Sequence, residues 1–198
     1  LRLGGPVVVK ALVPAGKRGK AGAVRFAGAP EEVEREAAEL LGSSLGEHRI
    51  SRVLVERRGP AGLGMVVAVN HDPLAPGPVR APMLLLSAVG GVDVEELASG
   101  DSGRLLRHHL DADVPLSLAA ARQLAEGLES VHSNLPLDGV AAAITALDRL
   151  FKEHDAVLAE INPLTISSDG EVIAVGAVMN CDDDGLFRQP RIKPHLQG

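Results

Sequence analysis

The chain has no tryptophan, no tyrosine and only three phenylalanines, Phe26, Phe151 and Phe187. Sequence-tolerant binding of single-stranded nucleic acid uses aromatic stacking platforms, so that class of function is set aside. Its one cysteine, Cys181, cannot form an internal disulfide. That removes a disulfide-stapled scaffold and points to a reducing, cytoplasmic setting. The acids after Cys181 (Asp182, Asp183 and Asp184) read as a loop, because adjacent carboxylates rarely converge on one ion. No apolar run approaches the roughly 20 residues of a membrane-spanning helix. A chain-wide basic surface is missing too, since the net charge is −6. At 198 residues with 45% hydrophobic and 23% charged content, the chain can bury a core as one domain or two small lobes.

What is present is concentrated near the start. Residues 7–25, VVVKALVPAGKRGKAGAVR, read as a buried strand ending in Lys10, a glycine-rich basic loop and a second strand. The β-branched run Val7–Val9 suits a strand covered on both faces. Gly16, Gly19 and Gly22 permit positive φ and close backbone approach, so successive N–H groups can form an anion-binding nest. Residues 1–30 hold six cations (Arg2, Lys10, Lys17, Arg18, Lys20 and Arg25) and no acid, so the rest of the chain carries −12. A solvated turn would have a similar composition. One basic segment in an acidic protein nevertheless favours a local anion site, with a polyphosphate as guest. The loop is neither GxxxxGK[ST], since Ala21 follows Lys20, nor GxGxxG.

Along the chain, Pro30 opens a helix with acids in its first turn that ends at Gly42. RVLVER (52–57) predicts a strand with Glu56 at its end, closing a compact α+β lobe. GPAGLG (59–64) reads as a flexible link, followed by strands at 65–70 and 80–87 joined by a proline-rich turn at 71–78. The neighbours His108 and His109 point in different directions on either a helix or a strand, which argues against a shared metal. Helices are predicted over 117–131 and 138–154, packed antiparallel, with Asp138 as an N-cap. Two β-rich runs flank Ser167–Gly170, a hairpin signal. On the first of them Glu160 and Asn162 share a face, and Pro163 marks a bulge or strand end. A carboxylate and an amide oxygen there could serve a hard cation such as Mg²⁺, or simply cap a strand end.

VVVKALVPAGKRGKAGAV, VLVE (53–56), GGVDVEELA (90–98), LAEINPL (158–164) and DGLFRQP (184–190) occur in this order in the ATP-grasp region of succinyl-CoA synthetase β chains, which the sequence resembles. GKRGK is also similar to the ATP-citrate lyase and citryl-CoA synthetase branch. The resemblance implies an α+β ATP-grasp fold of two lobes, 1–58 and 59–198, enclosing nucleotide. It implies ATP and Mg²⁺ as cofactors of an ADP-forming acid–CoA ligase. Lys10 would contact phosphates, and Gly16, Lys17, Arg18 and Gly19 would form the phosphate-side loop. Glu56 would meet adenine or ribose, and Asn162 would ligate Mg²⁺. Glu160 would support a phosphohistidine carried by a partner subunit or domain, since none of the seven histidines here sits in a matching motif. Lys10 and the loop would face the Glu56 strand end across a groove between lobes. Self-association is a further expectation, and neither nucleic acid nor membrane is an expected partner.

Three departures from the family pattern involve four positions. Gly176 stands where a second metal-ligating Asp is usual, and Val178 replaces the lysine two residues on. Gly64 replaces a glutamate after the link, and Val89 replaces the acid of EGGV. The alternative reading is therefore a degenerate ATP-grasp module with impaired Mg-ATP binding, acting as an interaction or regulatory subunit. On this view Asp at 176 would reach the ion held by Asn162, and restoring it would raise the Mg²⁺-dependent affinity.

Overall fold

The computed structural model describes residues 3–15, 18–72, 81–90, 105–129 and 131–192. Most of the expected proline-rich turn and of the GGVDVEELASG stretch lies outside them. The chain divides into two compact units, Leu1–Pro60 and Ala61–Gly198.

In the first unit, β1 (Val7–Ala11) runs antiparallel to β2 (Val24–Ala27) on one side. On its other side lies β5 (Val53–Arg57), also antiparallel. Helix α1 (Pro30–Leu40) starts with Pro30 in its first turn, followed by Glu31 and Glu32, where the free N–H groups and helix dipole favour negative charge. The Gly28 N–H donates to Glu32 Oε2 at 2.7 Å, fixing the entry of the chain into the helix. Val33, Ala37 and Leu40 pack with Val9, Ala11, Ala23 and Ile50 to form this unit's core. A small hairpin of β3 (Ser44–Leu45) and β4 (His48–Arg49) connects α1 to β5. It has no period long enough to be read from the sequence.

The second unit is a six-stranded antiparallel sheet with two helices on one face among the described residues. Its elements are β6 (Gly62–His71), β7 (Pro82–Ser87), β8 (Leu105–His109), α2 (Leu118–Glu126), α3 (Leu137–Glu153), β9 (Ala156–Ser167), β10 (Val172–Ala174) and β11 (Ala177–Cys181), followed by a 3₁₀ turn, Asp183–Arg188. The order is β10-β9-β6-β7-β8, and β11 extends the β10 edge along the other half of β9. Met65, Val67 and Val69 of β6, Leu84 and Leu86 of β7 and Ala159 of β9 pack beneath Ala121, Ala125, Val140, Ile144 and Phe151. Each fully buried aliphatic side chain of this kind contributes about 1.5–3 kcal/mol, so this face holds β9 in place. The opposite face carries a second apolar cluster, Val66, Ala68, Leu85 and Leu105.

Three expectations are corrected. The GPAGLG link is not a hinge throughout, because Gly62–Gly64 is already β6. A Cβ on Gly62 would lie 2.0 Å from the Ile166 carbonyl oxygen, so glycine here serves close strand approach rather than flexibility. Asp138 is not an N-cap: α3 begins at Leu137 after Pro136, and Asp138 sits inside the first turn, where it pairs with Arg122. The helix predicted over 117–131 ends at Glu126, although Ser117 does cap it, accepting from the Ala120 N–H at 3.2 Å. Pro163 marks a bulge, one of the two outcomes expected of it: β9 runs through it, and the register against β6 shifts between Met65 and Val67, opposite Asn162–Pro163.

Candidate functional site

The first unit brings Lys10 and Glu56 together. On β1 and β5 Lys10 is paired with Leu54 and Val8 with Glu56, which puts the two charged residues diagonally on one face. Val9, Ala11, Val53 and Val55 point the other way, into the core with α1. The Lys10 ammonium and the Glu56 carboxylate form an ion pair, with the lysine side chain 15% and the glutamate 38% exposed. The two groups are therefore not set across a groove. They are neighbours on one small sheet.

Gly16 and Lys17 lie outside the described residues. Beyond them the loop is a closed turn. The Gly22 N–H donates to the Gly19 carbonyl at 3.1 Å and the Ala23 N–H to the Arg18 carbonyl at 2.9 Å. Gly22 has φ +70, which needs glycine. These two amides are spent inside the turn, so the nest expected there cannot include them while the turn stays closed. Arg18 Nη1 donates to the Ala11 carbonyl at 3.2 Å, which ties the base of the loop to the residue after Lys10.

The second unit carries Glu160 and Asn162 on β9. Glu160 is the cross-strand partner of Ala68 on β6 and of Val178 on β11. The Asn162 N–H donates to the Gly176 carbonyl at 2.8 Å, so position 176 lies opposite Asn162. The two departures on this edge, Gly176 and Val178, thus face the two candidate residues one by one.

The expected remedy at Gly176 does not fit. A Cβ there would lie 2.5 Å from the Asn162 carbonyl oxygen and 3.3 Å from its carbon, so backbone would have to move. At Gly64 a Cβ would meet Pro163 Cβ at 3.4 Å and Gly90 Cα at 3.6 Å, which is ordinary contact. Val89 is held through its backbone: its N–H donates to Ser87 Oγ at 3.1 Å, and that hydroxyl donates to the Val89 carbonyl at 3.2 Å. Magnesium is usually held by one or two carboxylates together with substrate phosphates. Of the donor pair the resemblance implies, position 162 is an asparagine and position 176 a glycine. Among the described residues no group of three or more His, Cys, Asp or Glu could hold a metal ion. Among the described residues of this edge, Glu160 and Asn162 are the donors left, one carboxylate short of the implied pattern.

Two constellations went unread in the sequence. Asp155, with φ +50, closes the corner between α3 and β9. Arg188 grips it through Nε–Oδ2 at 2.9 Å and Nη2–Oδ1 at 2.7 Å, and Gln189 Nε2 adds 2.7 Å. These hydrogen bonds, Arg188 foremost, hold the Asp155 carboxyl below the usual carboxylate range. DGLFRQP is therefore a clasp on the start of β9, and its one legible signal was the motif itself. The other is Asp148, fully buried on α3, whose Oδ2 accepts from the Leu116 N–H at 2.8 Å and from Lys152 Nζ at 3.0 Å.

A family model described as "ATP-grasp domain" matches residues 1–166. The chain is 38% identical over 192 residues to a succinate–CoA ligase [ADP-forming] subunit beta of Haloarcula marismortui, covering 96% of this chain and 48% of that one. It is 36% identical over 182 residues to the same-named subunit of Methanocaldococcus jannaschii, again covering 48% of it. The chain thus spans about half the length of the curated relatives it matches. Among solved structures, the fold is shared with ATP citrate lyase from Methanothrix soehngenii, with TM-score 0.66 and 24% identity over 96% of this chain and 42% of that one. It is shared too with a dinucleotide-forming acetyl-coenzyme A synthetase from Ca. Korarchaeum cryptofilum, with TM-score 0.69 and 19% identity over 91% of this chain and 78% of that one. The α+β architecture, the VVVK–basic loop–VLVE sheet and the EINPL strand agree with these matches, and the chain belongs to the ATP-grasp domain family.

Proposed function

We propose that this chain is the nucleotide-binding portion of an ATP-dependent acid–CoA ligase of the succinyl-CoA synthetase type. The observation that carries the reading is the Lys10–Glu56 pair on the sheet face turned away from α1, next to the basic loop. Phosphoryl transfer needs charge neutralisation and positioning more than covalent help from the protein. Lys10, Arg18 and the unit's other cations supply the first, with Gly16, Lys17 and Gly19 completing the phosphate side. Glu56 holds Lys10 in place through their ion pair. When a polyphosphate draws the ammonium away, the Glu56 carboxylate can accept from the sugar or base. Glu160 would orient a phosphohistidine brought by a partner subunit or domain. Phe26 and Phe187, 60% and 77% exposed, offer apolar surface to such a partner or to a second copy.

A second reading, a degenerate module serving as an interaction or regulatory subunit, is favoured by the packing at Gly176 and by Val178 opposite Glu160. Nucleotide binding is common ground for the proposal and is tested by calorimetric titration of the chain with ATP. A saturable isotherm at one site is expected. Absence of heat, together with no rise in melting temperature at millimolar ATP, rejects the nucleotide reading.

A further inference from the structure

We infer that nucleotide binding by this chain does not draw on magnesium, and that this is built into the backbone around Asn162 rather than caused by one missing side chain. The inference rests on the nucleotide reading above and deepens it. The edge run 172–181 is broken between β10 and β11, opposite Asn162 and Pro163. At the break Val175 N–H donates to the Pro163 carbonyl at 3.1 Å, and the Gly176 carbonyl accepts from the Asn162 N–H at 2.8 Å. The strands close on each other so tightly that position 176 has no room for any Cβ. From the β6 side Gly64 lies against Gly90, where a Cβ on Gly90 would come within 2.6 Å of the Gly64 carbonyl carbon. Asn162–Pro163 is thus enclosed by bare backbone on two sides.

The charge arithmetic follows. The second carboxylate expected at position 176 is missing and cannot be added without moving a strand, which leaves Glu160 as the one acid on β9. The lysine that would balance Glu160 across the ladder is Val178. Attraction for the nucleotide is left to cations of the first unit, Lys10, Arg18, Lys20 and Arg25. Cations recognise the bare polyphosphate at least as well as its magnesium complex, because the metal has already neutralised part of the phosphate charge. The inference therefore gives a sign. Magnesium leaves the affinity unchanged or weakens it.

The test is calorimetric titration of the whole chain with ATP, once in EDTA and once in excess MgCl₂. The dissociation constants are expected to agree within about threefold, or to be lower in EDTA. Binding that tightens by about tenfold or more with magnesium overturns the inference while leaving the nucleotide reading intact. No binding in either buffer overturns both. Gly176→Asp is expected to melt at a lower temperature and to gain no magnesium dependence, whereas Gly64→Ala, for which there is room, should melt close to wild type. A Gly176→Asp protein that acquires magnesium-dependent binding overturns the backbone argument. If that variant does not fold, the wild-type comparison decides alone.

Discussion

Replacing Asp148 with alanine should cost more stability than any single surface change in the second unit. The carboxylate is 0% exposed and ties the segment before α2 to α3. Its Oδ2 takes the Leu116 N–H at 2.8 Å, and its Oδ1 meets Lys152 Nζ at 2.8 Å as an ion pair outside hydrogen-bonding alignment. Lys152 also donates to the Val114 carbonyl at 2.8 Å. Removing one partner of a buried pair costs about 3–5 kcal/mol, because the other charge is left uncompensated. Lys152 remains 15% exposed and keeps the Val114 carbonyl, so the lower end, about 3 kcal/mol, applies. For a chain of this size that is about 6–12 °C in melting temperature. Asp148→Asn keeps an acceptor for Leu116 and loses only the charge, so about 1–2 kcal/mol is expected. Scanning calorimetry of the three proteins checks the order wild type, Asn, Ala. A drop below about 2 °C for Asp148→Ala would show that the buried pair does not anchor the segment.

Arg188→Ala should move acid unfolding to higher pH. Asp155 has a lowered pKa in the folded chain, so its contribution is present above the ordinary aspartate range and is lost as pH falls through the lowered value. Without Arg188 the loss begins nearer the ordinary range, and an acid titration followed by circular dichroism reads the shift. Gly62→Ala should destabilise by about 1–3 kcal/mol in urea melts, because its Cβ would meet the Ile166 carbonyl at 2.0 Å and force the β6–β9 register apart. Cys181 should alkylate more slowly in the folded chain than in urea at the same pH, since burial, then the charge of Asp155, pushes its thiol pKa up.

The sequence made most of this fold legible where pattern and period were strong. Val7–Val9, the amphipathic stretch after Pro30, the RVLVER strand and the hairpin around Asp169–Gly170 all formed as their spacing implied. Glycine was the main source of error, because its letter does not say why it is needed. Gly22 and Gly170 serve positive φ, while Gly62 and Gly176 serve close approach of a neighbouring strand. Only the second use forbids a side chain by collision, and it depends on a partner distant in sequence. That is why the glycine letter at 176 did not show that any side chain there meets the Asn162 carbonyl. Lys10 and Glu56 were each legible, but their pairing depends on the β1–β5 register, which no local pattern sets. Asp155 and Asp148 look like surface acids in sequence, and their roles appear only once α3, β9 and the 3₁₀ turn meet.

The central claim is that the Lys10 ammonium, released from Glu56, holds the nucleotide's phosphates. The most direct measurement is ATP affinity of wild type against Lys10→Met, with Lys10→Met/Glu56→Gln to remove the unpaired carboxylate. A hydrogen bond to a charged group contributes about 1.5–3 kcal/mol, so both variants should lose about 10–100-fold, and the double variant should lose less than the single one. Affinities unchanged in both variants, with melting temperatures intact, would contradict the account.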